Sequence, residues 1–175
     1  MRTALYYLDA SALVKYHIRE PGSAWVRALV DARLPDSGVR VHPIWMSEAS
    51  IAECAAAFAI LHRTQRISLK ARDGAFRAFM RDIASEVFHP LPVQTSDFQL
   101  AAYLTQRHPL KAYDAVQLAV ALRYARILAA FRLHLIFVSG DAALLAAAQA
   151  EGLPTDNPFD HPALEDTSDP SGSPA

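Results

Sequence analysis

Apolar positions along the chain change period several times, and the changes mark the elements. Leu5-Tyr6-Tyr7-Leu8 is a short unbroken apolar run ending at Asp9, the pattern of a buried strand. Leu13, Val14, Tyr16 and His17 then share a helix, with Asp9 or Ser11 as its cap. Glu20-Pro21-Gly22-Ser23 stops it, and Ser23 is placed to cap a second helix in which Trp25, Val26, Leu29 and Val30 recur at helical spacing. After the turn Leu34-Pro35-Asp36-Ser37-Gly38, the alternation Val39-Arg40-Val41-His42 predicts a short strand. Ser47 or Ser50 opens a long Ala-rich helix to about residue 62, with Ile51, Ala55, Phe58 and Leu61 on one face. Ser68 caps a further helix to about residue 85. In it Leu69, Phe76, Met80 and Ile83 fall within about 60° of arc at 100° per residue, which predicts a core stripe. Lys70, Arg77 and Arg81 form a second stripe about 100° away, readable as a solvated face or as a phosphate-facing surface.

Residues 87–93, with two prolines, read as a connector or an edge strand. Helices are predicted over 95–107 and 111–126, divided by His108-Pro109. Residues 133–138 form the second strong strand, followed by Ser139-Gly140-Asp141 and an Ala/Leu helix to Ala150. Gly152 ends that helix, and residues 153–155 predict one last short strand. From Asn157 onward Pro, Ser, Asp and Gly dominate. Residues 1–156 are therefore expected to form one domain, and 157–175 an acidic, mobile tail. Strands separated by helices imply an α/β fold, a parallel sheet with helices on both faces. In such folds ligands bind beyond the carboxyl ends of the strands, and both Asp9 and Asp141 sit there.

The 175 residues are 52% apolar and 20% charged, which fits an ordinary soluble globule. The net charge of −1 conceals a segregation. All 17 Lys and Arg lie at or before Arg132, where they face 11 acids for a balance of +6, while residues 133–175 stand at −7. Overall neutrality therefore does not exclude a nucleic-acid partner. A single cysteine, Cys54, rules out an intrachain disulfide and a thiolate metal site. Asp9 and Lys15 break the N-terminal apolar run, so no signal peptide is expected, and no stretch approaches the ~18 apolar residues of a membrane span. The expected location is cytoplasmic. A G-x-S-x-G elbow, a glycine-rich phosphate loop and zinc-type histidine spacing are all missing, and His42, His62 and His108 read as surface or core residues.

Two more carboxylates stand in small or apolar surroundings: Glu53 in Ser50-Ile51-Ala52-Glu53-Cys54, and Asp114 in the first turn of its helix. Each of the four acids has a local role open to it. Asp9 can cap a helix, Asp114 and Asp141 suit a helix dipole, and Glu53 suits a solvated position. Together they suggest more, because two carboxylates ~4 Å apart repel by roughly 4 kcal/mol at an effective dielectric of ~20. A hard cation such as Mg²⁺ or Mn²⁺ offsets that cost.

Four stretches carry a family likeness. They are Asp9-Ala10-Ser11-Ala12-Leu13-Val14-Lys15 with Glu20-Pro21-Gly22-Ser23, then Ile51-Ala52-Glu53, Tyr113-Asp114-Ala115-Val116-Gln117-Leu118-Ala119, and Val138-Ser139-Gly140-Asp141-Ala142-Ala143-Leu144. In this order they resemble PIN-domain nucleases, and among those the VapC-type toxin ribonucleases of toxin–antitoxin pairs, over about residues 3–156.

The resemblance implies a three-layer α/β/α sandwich around a parallel sheet and an Mg²⁺- or Mn²⁺-dependent endoribonuclease. Asp9, Glu53, Asp114 and Asp141 become the catalytic, metal-binding quartet, with Ser11 and Ser139 as supporting or phosphate-contacting hydroxyls. Glu48 rivals Glu53 if the helix register differs, and Asp156 is a further candidate acid. Lys15, Arg19, Lys70, Arg77, Arg81 and Lys111 are candidates for contacting RNA. The partners implied are RNA, a second copy of the chain, and an antitoxin that inserts a basic side chain into the acidic pocket. Two alternatives stay open: a PIN nuclease of RNA processing or DNA cleavage, and a catalytically silent PIN module that binds a partner or RNA.

Overall fold

In the computed structural model of the protein, residues 5–161 are described. The chain runs β1 (Leu5–Leu8), α1 (Ala10–His17), α2 (Ser23–Asp31), β2 (Ile44–Ser47), α3 (Ala49–Arg63), α4 (Leu69–Ala84), β3 (His89–Leu91), α5 (Thr95–Arg107), α6 (Ala112–Ala129), β4 (Leu135–Val138), α7 (Ala142–Ala150) and β5 (Thr155–Asp156). The five strands make one parallel sheet in the order β3-β2-β1-β4-β5. Alternation along the strands divides the core in two. Leu5, Tyr7, Leu135 and Phe137 face α5, α6 and α7, whereas Leu8, Ile44, Met46 and Val138 face α1 to α4. The fold is thus the α/β sandwich that the sequence predicts. Among the described residues no helix is long and apolar enough to cross a membrane.

The strand order places the functional edge. From β1 the chain steps outward to β2 and β3, then crosses back so that β4 pairs with the other side of β1. Such a reversal opens a crevice at the carboxyl ends of the two strands, where flanking connections leave in opposite directions. Leu8 is in register with Val138, so Asp9 and Ser139 emerge side by side at that crevice.

Several local expectations are corrected. Residues 39–42 are not a strand; Arg33 and Arg40 form an isolated antiparallel bridge, and β2 begins after Pro43. Val39 is 58% exposed, whereas Ile44, Met46 and Ser47 are buried, so burial beside β1 selects the later segment over the alternating one. Gly22, at φ +84°, takes the N-cap position of α2 instead of Ser23. A side chain at Gly22 would be strained by that dihedral and would strike Pro158. The Ser23 hydroxyl turns back instead, accepting from the Glu20 backbone N–H and donating to the Ile18 carbonyl.

On α4 the predicted core stripe is misplaced, because Leu69, Phe76 and Met80 are exposed and Ala75 and Phe79 are buried. At 100° per residue the buried pair lies about 90° round from the predicted stripe. The Lys70, Arg77 and Arg81 stripe then points almost directly away from the core, as a solvated face does. The last strand is shifted to Thr155–Asp156. Residues 158–160, expected to begin the tail, form a 3-10 turn against α2, and the remainder of that predicted tail, 162–175, lies outside the described residues.

Candidate active site

Asp9 ends β1 in extended conformation and caps α1, which leaves it 5% exposed. Its Oδ1 accepts from the Ala12 N–H (2.9 Å) and the Ser11 hydroxyl (2.8 Å), and its Oδ2 from the Ser139 hydroxyl (2.7 Å). Both serines also accept bonds from the β4–α7 loop: Ser139 Oγ from the Asp141 N–H (3.0 Å) and Ser11 Oγ from the Gly140 N–H (2.8 Å). Two hydroxyls thus fasten the two sides of the crevice to one carboxylate. Gly140 fits there because a Cβ would meet Phe159, Lys15 and the Ser11 hydroxyl within 3.2–3.4 Å. Asp141 caps α7 through Oδ1 and the Leu144 N–H (2.9 Å).

Glu53 reaches the site from α3, and its Oε2 accepts from the Gln117 amide. Asp114 comes from the first turn of α6. Burial raises the Asp9 carboxyl to about 6 against the lowering by Ser139, Ala12 and Ser11, and Asp114 pushes it further. Burial also raises Glu53; Gln117 opposes this, and Asp9 and Asp114 add to it. For Asp114, burial is followed by repulsion from Asp141, with Lys111 lowering it. Charge coupling therefore links all four predicted acids.

Among the described residues, no three His, Cys, Asp or Glu side chains are gathered into a ready metal cage. Mg²⁺ is commonly held by one or two carboxylates and keeps several waters between itself and its other partners. The donor set is hard oxygen throughout, and a cation at its centre relieves the repulsions just described. Asp9, Glu53, Asp114 and Asp141 all offer the oxygen ligands that a divalent cation takes.

Neither rival acid is among the groups that shift Asp9, Glu53 or Asp114. Glu48 is exposed at the start of α3, lining an apolar groove with Val93, Phe98 and Tyr113. Asp156 accepts from His161 Nε2 (2.7 Å) and faces a groove with Ala142, Gln149 and Asp160. Lys15, proposed above for RNA, is buried, pairs with Glu20 (2.7 Å) and lies under the Phe159 ring. Arg81 lines a groove with His17 and Arg27 around the last turn of α1, the opposite end from Asp9.

Sequence reasoning took Ser47 or Ser50 only as the start of α3, where the N-cap is Glu48, and gave Tyr7 and Gln117 no role at the site. All four are buried and joined in one hydrogen-bonded group beneath Glu53. The signal for Gln117 was present, as a single amide inside the apolar run Ala115-Val116-Gln117-Leu118-Ala119-Val120.

The protein-family model described as the PIN domain matches residues 6–132, a stretch that holds Asp9, Glu53 and Asp114 and stops short of Asp141. No curated protein matches the chain.

Proposed function

The chain belongs to the PIN-domain family, a nuclease superfamily, and from that premise we propose that it is an Mg²⁺- or Mn²⁺-dependent endoribonuclease acting as the toxin of a toxin–antitoxin pair. What supports this reading is Asp9 at the crevice between β1 and β4, raised further by Asp114, with Glu53 raised by Asp9 and Asp114, and Asp114 by Asp141. Helix dipoles and caps account for each acid singly but not for four set against one another. When bound there, a divalent ion would lower the pKa of a water and polarise a phosphate oxygen. The chain's own residues divide the remaining work. Ser11 and Ser139 orient Asp9 and hold the crevice together. Lys111 offsets the negative charge at Asp114. Tyr113, 55% exposed beside Asp114, offers a ring on which an unpaired base can stack. RNA is the substrate in this reading. A second copy of the chain and a restraining antitoxin are its partners.

The direct test is cleavage of total RNA by the purified protein. Mg²⁺ or Mn²⁺ is expected to enable cleavage and EDTA to abolish it, while Asp114→Asn removes cleavage without unfolding the protein. Undiminished cleavage in EDTA overturns the metal reading, and an Asp114→Asn protein that fails to fold makes Asp114 a structural cap.

The toxin assignment has its own readout. Expression of the chain alone is expected to arrest growth of a bacterial host, and the Asp114→Asn chain to be tolerated. A harmless wild type that still cleaves RNA in vitro points instead to a nuclease of RNA processing.

A further inference from the structure

Gln117 sits in the stretch of α6 from Ala115 to Leu122 that is buried throughout, where packing alone favours an apolar side chain. Its amide is instead fully engaged. Nε2 donates to Ser50 Oγ (2.7 Å) and to Glu53 Oε2, and Oε1 accepts from the Tyr7 hydroxyl (2.7 Å). The Tyr7 phenol in turn hydrogen-bonds Ser47. Tyr7 comes from β1, Gln117 from α6, and Ser50 and Glu53 from α3, so the group spans the sheet and a helix on each side of it. Its members are wholly buried until it reaches Glu53, where it meets the crevice.

The direction of the amide is fixed from both ends. Turned over, its oxygen would face the Glu53 carboxylate, acceptor against acceptor, and its N–H groups would leave Ser50 and Glu53 without a donor. A buried network in which every group is satisfied holds its members rigidly. Here the member at the rim is an acid of the candidate metal site, and residues that orient a metal ligand tune the site's affinity.

We propose that Gln117, oriented by the Tyr7 hydroxyl, is a positioning residue that holds the Glu53 carboxylate in its ligand orientation, so that the divalent-cation affinity of the site depends on it. The inference rests on the metal-dependent reading above.

Calorimetric titration of the full chain with Mn²⁺ alone tests it. Gln117→Met and Tyr7→Phe are each expected to weaken binding about tenfold or more. The two together should be no weaker than Gln117→Met, because they act through one amide. In a Glu53→Gln background, Gln117→Met should change affinity by less than about twofold. If Gln117→Met does not fold, Tyr7→Phe, which deletes only a hydroxyl, decides the matter by the same comparison. A folded Gln117→Met protein with wild-type affinity overturns the proposal. So does an equal loss in the Glu53→Gln background, since the amide would then act through packing rather than through Glu53. A wild type that binds no Mn²⁺ overturns the metal reading and this inference with it, whereas normal wild-type binding with unaffected variants overturns this inference alone.

Discussion

Asp9→Asn, measured in metal-free protein at pH 7, is expected to raise folding stability by up to about 3 kcal/mol while removing RNA cleavage. The size follows from the Asp9 carboxyl, lifted by burial from an ordinary 3.8 to about 6, at roughly 1.4 kcal/mol per unit. Because its folded pKa is raised, the stability linked to protonated Asp9 is present below about 3.8 and lost as pH rises through about 6. Above that range the ionised group costs stability, and Asn does not. The full gain is a ceiling, since an amide nitrogen in place of Oδ2 deprives the Ser139 hydroxyl of its acceptor.

The raw pH profile of the wild type hides this effect. Burial lowers His17 to about 4, aided by Arg27 and Arg81. The contribution of neutral His17 is present above about 6.5 and is lost as pH falls toward 4, opposite in sign over the same window. The difference between Asp9→Asn and wild type cancels the His17 term. Urea denaturation in EDTA should show a gap that is largest at pH 7 and closes toward pH 4. A gap of constant size, or one favouring the wild type at pH 7, would mean that Asp9 serves the fold rather than a cation.

The placing of Asp9 at the end of a buried strand is what made the site readable from sequence. Asp9 directly follows the apolar run Leu5-Tyr6-Tyr7-Leu8, and Asp141 stands three positions after Leu135-Ile136-Phe137-Val138, where each can cap the next helix and also face a ligand. Sequence spacing then located the crevice because both strands are buried on both faces, and their apolar runs have unambiguous ends. Where burial is one-sided the reading weakened. On α4 the periodicity found apolar residues but not which of two neighbouring stripes faces the core, since Leu69, Phe76 and Met80 are as apolar as Phe79. At β2, alternation favoured 39–42, although the slot beside β1 is filled by Ile44–Ser47. Neither error moved a quartet residue, because each lies on an element that reaches the crevice with its end or its small-residue face. The network under Glu53 escaped notice for a different reason. Tyr7 and Gln117 are 110 positions apart, and only the crossing of β1 by α6 brings them together.

Arg123→Met is expected to destabilise the protein by about 3–5 kcal/mol and to leave RNA cleavage per folded molecule unchanged. Asp97, 1% exposed in the first turn of α5, accepts from Arg123 Nε (2.9 Å) and Nη2 (3.1 Å) and from the Gln94 N–H (2.9 Å). Arg123 also donates to the Pro92 carbonyl (2.7 Å), tying the approach from β3 and the start of α5 to α6. Methionine keeps the aliphatic packing of arginine but leaves the carboxylate buried with one backbone donor, and an uncompensated buried charge is what makes a broken pair costly. The double variant Asp97→Asn/Arg123→Met should therefore recover most of the loss, because a neutral amide oxygen still accepts from Gln94 without a charge to desolvate. Arg123 stands nine residues beyond Asp114, roughly 13 Å along α6 at about 1.5 Å per residue, which keeps the change away from the site. Urea denaturation of the three variants with wild type as reference measures the ordering. A loss below about 1 kcal/mol for Arg123→Met would place this pair with exposed ion pairs and assign the anchoring of α5 on α6 to apolar contacts such as Ala101 and Leu104.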